Sequence, residues 1–110
     1  PPVQMGDEGD YEVGLAAQED AANYHDGKYI ETIFEIVAED VLRAMRLQDL
    51  QIMRNEIFAR YGYIFINGGK MDTYFNQQDW YVGTNDNVDK YLTEIEKINI
   101  ANIRKVEHGM

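Results

Sequence analysis

The chain has 110 residues and a net charge of −10, with the whole excess in its first two fifths, so it is sized for one domain and poorly charged for nucleic acid. Residues 1–42 hold 11 acidic side chains against Lys28 alone, whereas residues 43–110 hold 9 of each sign. Cysteine and serine are both absent, which removes disulfides, thiolate metal sites and Ser or Cys nucleophiles from consideration.

The acidic excess suits a basic partner or Ca²⁺, but a solvated face that keeps the domain soluble is the commoner use of such charge. No apolar run reaches membrane-spanning length, and no signal-peptide pattern is present. The opening Pro1-Pro2 predicts a trimmed or mature form, with any secretion signal or lipid anchor upstream.

Residues 1–12, with two prolines, two glycines and four carboxylates, are expected to be a mobile acidic tail. Residues 13–42 read as an acidic helical region. Within it, Leu15 to Tyr24 is Ala-rich and suits a short helix. After Asp26-Gly27, the spacing of Ile30, Ile33, Phe34, Val37, Val41 and Met45 predicts one helix over about 28–45.

A central helix is expected over about 48–61. On a wheel of 100° per residue with Leu50 at zero, Met53, Ile57, Phe58 and Tyr61 fall within about 80° of it. Arg54 lands at about 40°, inside that apolar face, where a guanidinium needs a partner because it has no neutral form. Ile52 and Ala59 point to the far side, which predicts cover on two flanks. Glu56 and Arg60 stand four apart in the order of a surface ion pair. Gly62 ends the helix in the left-handed conformation.

Tyr63 to Ile66 has the make-up of a short strand without an evident partner. Asn67-Gly68-Gly69 is a turn, and a short helix is expected over about 70–77. Asp79-Trp80-Tyr81 opens a loop that closes at Gly83, and Thr84 to Asp89 is polar and turn-like. The last helix, 93–107, has a capping box in Thr93 and Glu96, and Arg104, Lys105 and His108 at its negative end. Its predicted stripe is Leu92, Ile95, Ile98, Ile103 and Val106, interrupted by Asn99 and Asn102.

These intrusions suggest a buried polar network of Arg54, Asn55, Glu56, Asn99 and Asn102 that locks the central and last helices, with Glu56, Glu96 or Asp79 as counter-charge. The competing role for Arg54 is capture of a ligand carboxylate. Tyr63, Tyr74, Phe75, Trp80 and Tyr81 gather about one loop. They suit a core plug better than a stacking platform for sugar or peptide. Asn85, Asn87, Asp89 and Glu96 follow an EF-hand count, but Lys90 stands where that loop needs glycine and Glu96 already belongs to a cap. His25 and His108 are isolated, so no metal or cofactor is expected. The threonines carry no nucleophile motif, and enzymatic activity has no positive support.

MRNEIFARYGYIF, followed by YF-x4-WY and LTEIEKINI, resembles the YARHG domain of bacteria over about residues 40–107. The Tyr-Ala-Arg-His-Gly motif of that name corresponds here to Phe58-Ala59-Arg60-Tyr61-Gly62, with Phe58 in place of Tyr and Tyr61 in place of His. A role that needed the histidine is closed to this chain. The resemblance implies an extracytoplasmic setting, in secreted, lipid-anchored or membrane-tethered proteins, for a domain whose molecular role is unsettled.

The sequence therefore predicts a mainly α, small single-domain helical bundle with an irregular aromatic loop. Residues 43–110 would form the YARHG-like domain, packed with the acidic region. The expected function is a non-catalytic cell-envelope module that binds a protein or cell-wall component. The alternative is a sensor for an anionic or glycan ligand, using Arg54, Arg60 and the Trp80/Tyr81 loop, with Tyr63 and Tyr74 nearby.

Overall fold

The central helix forms where its periodicity places it, and the rest of the structure, a computed structural model that describes residues 27–109, wraps its two flanks. Five α-helices are described: α1 (Glu31–Phe34), α2 (Glu39–Arg43), α3 (Leu47–Ala59), α4 (Lys70–Phe75) and α5 (Glu94–Glu107). A single 3-10 turn, Asp89–Tyr91, precedes α5. The predicted tail, the Leu15–Tyr24 helix and His25 lie outside the described residues. Among those described, no helix is long and apolar enough to cross a membrane.

One flank of α3 presents Leu50, Met53 and Ile57 to Val37, Leu42, Ile100 and Ile103, which makes the first core. The other flank presents Ala59 and Ile52 to Phe65 and Phe75, with Tyr63, Met71, Tyr74, Trp80 and Tyr81 around them. The expected cover on two sides is thus present, and the aromatic loop is a core plug. Its rings pack as aromatic quadrupoles prefer. Phe65 lies offset over Phe75 at 5.2 Å, and Trp80 meets Phe75 edge-on at 6.0 Å.

The helix predicted over 28–45 is two short helices, α1 and α2, with Glu35 to Ala38 extended between them. Periodicity mistook the break for continuity. Its cause is remote in sequence: Asn99 of α5 donates to the carbonyls of Thr32 and Glu35 and accepts from the Val37 N–H. The amide thereby replaces the backbone partners that a helix would have supplied. Val37 is buried, but Phe34 and Val41 are more than half exposed, so the expected stripe does not face the core as a unit.

The helix 93–107 is present with its capping box, Thr93 Oγ1 accepting from Glu96 N and Glu96 Oε1 accepting from Thr93 N. Its stripe is rotated from the expected one. Glu96, Asn99, Ile100 and Ile103 are buried, while Ile98 is exposed. Tyr63 does find a partner, a single parallel bridge to Asn85.

Candidate functional site

Two ion pairs hold α3, and neither is the network that the sequence suggested. Arg54 makes a two-pronged pair with Glu107 at the end of α5, Nη2 donating to Oε1 at 2.9 Å, and does not reach Asn99 or Asn102. Asn55 back-bonds to the Gln51 carbonyl of its own helix, and Asn102 stays half-buried. The reason is geometric. Asn99 is taken by the α1–α2 break, and α5 brings its last carboxylate alongside Arg54.

The deeper pair is the one expected at the surface. Glu56 and Arg60 side chains are 1% and 3% exposed. The Glu56 carboxylate accepts from Lys28 N at 2.8 Å, Tyr29 N at 2.7 Å and Arg60 Nη2 at 2.7 Å. Arg60 also donates to the Tyr29 carbonyl and to Thr32 Oγ1. A β-carbon on Gly27, whose φ is +103°, would run into the same carboxylate. The i, i+4 spacing alone reads as a surface pair, whereas the expected polar network did place Glu56 in the interior. Its buried partner is Arg60 and not Arg54, and Glu56 follows Ile52 by one turn on the flank that forms the second core.

Beyond this lock, the end of α3, the 80–85 loop and the start of α5 enclose a cavity of about 600 Å³. Motif positions Ala59, Arg60, Tyr61 and Gly62 line it. Phe58 packs on the first core and Ala59 lies in the second. Tyr61 donates to Glu96 Oε1 at 2.7 Å and stacks on Tyr91, with centroids 5.9 Å apart and planes 14° apart. Gly62 turns the chain at φ +81°, and its carbonyl accepts from Thr84 N and Asn85 N. A β-carbon there would collide with Thr84 Oγ1. Asn85 closes the turn by donating Nδ2 to the Tyr61 carbonyl at 2.8 Å.

Of the residues named from sequence, Arg60 and Trp80 line this cavity, as do Asn85 and Glu96, which entered only through the EF-hand count, and Tyr61, Gly62, Thr84, Tyr91 and Thr93, which were not singled out as binding residues. Tyr63 lines smaller clefts on the other side, with Arg54 and Asn55. Tyr74 and Tyr81 serve the second core, where burial pushes both phenols above their usual range. Tyr81 donates to the Tyr63 carbonyl. The EF-hand count does not converge: Asn87 caps Asp89 N, and Glu96 serves its helix and Tyr61. Among the described residues, no group of three or more His, Cys, Asp or Glu is placed to hold a metal ion.

The cavity therefore offers rings, an amide, hydroxyls and one buried carboxylate, a set suited to recognition. No curated protein and no solved structure matches the chain. The YARHG domain matches residues 35–108, a stretch that includes α2 to α5, Tyr61 and Gly62 of the turn, and both oppositely charged pairs of α3. The chain belongs to the YARHG domain family.

Proposed function

We propose that this domain is a non-catalytic recognition module that holds a protein or cell-wall component of the bacterial envelope at the cavity beside residues 58–62. The observation that carries the reading is the use of charge. Arg54 and Arg60 are each answered by a carboxylate that ties α3 to its neighbours, whereas the cavity presents Trp80, Tyr61 and Tyr91 with hydrogen-bonding groups between them. A lining of rings with a few polar groups is what binding sites use. The lone carboxylate on it, Glu96, already serves Tyr61 and Thr93, which supports recognition over reaction.

The anion-sensing reading through Arg54 and Arg60 has less support, because both guanidiniums are committed. An extracytoplasmic location belongs to the same proposal and rests on the family likeness. Protease accessibility of the native protein in intact cells tests it.

The binding claim is tested by pull-down from envelope fractions with the wild-type chain, Tyr91→Ala and Val82→Asp. Both side chains are exposed at the cavity and absent from the two cores. Recovery of an envelope component by the wild type and its loss in both variants, with unchanged melting temperatures, is expected. Equal recovery by all three chains removes the cavity from the function.

A further inference from the structure

Glu96 is 1% exposed, and its two hydrogen bonds, from Tyr61 Oη and Thr93 N, both end on Oε1. Among the described residues, nothing donates to Oε2, and no Lys or Arg nitrogen lies within ion-pair distance of the carboxylate. Lys90, next to Tyr91 in the chain, rests its ammonium 5.3 Å from the Tyr91 ring and makes no pair with Glu96. A buried carboxylate with one oxygen unserved is costly unless a donor, and preferably a cation, completes it. The positive end of α5 offsets part of that cost, through Thr93 N on Oε1. The residue lines the 600 Å³ cavity, which is therefore the side from which a completing group would reach it.

We propose that the cavity takes the primary ammonium of a lysine side chain from a partner peptide, with Glu96 Oε2 as its anionic seat. This deepens the recognition role proposed above and rests on it. Three features choose the ammonium. First, Oε1 has filled both lone pairs, so the two-pronged grip that favours a guanidinium is denied, while a point charge with three donors needs one free oxygen. Second, Asn85 also lines the cavity, and with Nδ2 spent on the Tyr61 carbonyl it has only the acceptor Oδ1 left to offer. Third, Trp80 and Tyr61 provide apolar and π-rich walls for the four-carbon stem and its head. Arg60 does not oppose the charge, because Glu56 neutralises it at 2.7 Å. The net charge of −10 favours approach of a cationic peptide.

The test is an NMR titration of the whole chain with Nα-acetyl-lysine methylamide, its norleucine analogue and N-acetylglucosamine. The lysine compound should give saturable shifts at Tyr61, Trp80 and Tyr91, and the norleucine analogue none. Glu96→Gln keeps the capping box, since Gln serves at that position, and should weaken binding by about tenfold or more at an unchanged melting temperature. Tyr91→Ala, outside both cores, should weaken it several-fold. Equal binding of the norleucine analogue, retention of affinity by Glu96→Gln, or no response to lysine overturns the ammonium seat. Shifts of the same residues with N-acetylglucosamine alone would overturn it while leaving the recognition role standing. Silence from all three probes, together with equal recovery in the envelope pull-down, would remove both.

Discussion

The carboxylate of Glu56 serves three donors at once, two from the backbone at Lys28 and Tyr29 and one from Arg60, in a place almost free of water. Glu56→Gln keeps the shape but removes the negative charge that faces the Arg60 guanidinium at 2.7 Å. Removing one partner of such a pair costs about 3 kcal/mol or more, which for a domain of this size lowers the melting temperature by more than about 10 °C. Arg54→Met, at a pair whose arginine is one-fifth exposed, should cost clearly less, and a thermal melt of both variants checks the order. A larger loss for Arg54→Met would mean that the Glu107 pair is the main clamp. At this scale the sequence was only partly legible. The 100° count put Arg54 near the helix contact correctly, but a count along one helix is blind to a carboxylate 53 residues away. The same count cannot tell a surface pair at i, i+4 from a buried one, because burial is decided by what lands on that flank.

Among the elements, α5 was the most legible, because its capping box, its charge order and its boundaries are local properties of ten or so residues. The break between α1 and α2 was the least legible, since its stabilising group sits on α5. Asn99 makes three hydrogen bonds to the backbone of that break, at 2.9, 3.0 and 2.9 Å, and is fully buried. Asn99→Ala strands the Val37 N–H and two carbonyls at once. An unserved buried group costs about 1–3 kcal/mol, so the variant should lose at least about 2 kcal/mol in a denaturant titration. It should also speed amide exchange at Val37 more than at Ile57 of the central helix. Asn102→Ala, at a half-buried site of the same helix, should stay within about 0.5 kcal/mol of the parent. Matching losses for the two variants would show that the break does not depend on the amide of Asn99.

Across the whole molecule, α3 is a wall shared by two cores, and the aromatic loop completes the second core while its Trp80 also faces the cavity. Tyrosines are built into this architecture, which gives it an alkaline limit. Burial raises the phenols of Tyr29, Tyr74 and Tyr81 above 10.0, and the charges of Asp49 and Glu56 add to the rise at Tyr29 and Tyr74. In the unfolded chain the same phenols lose their protons at about pH 10. The folded state therefore holds protons that the unfolded state has released. The stability tied to them is complete below about pH 10 and is lost as pH rises through the raised values. The melting temperature should change little between about pH 7 and 9 on this account and fall steeply above about pH 10. Phenolate formation at Tyr29, Tyr74 and Tyr81 should then coincide with loss of aromatic circular dichroism. A single titration of all 8 tyrosines near the ordinary value, with the aromatic signal intact, would show that the second core is open to hydroxide and that the loop is not its seal. The fold class could be read in advance because helix periodicity is local. The seal could not, because it depends on Phe65, Phe75 and Tyr81 arriving together from three segments that share no pattern of their own.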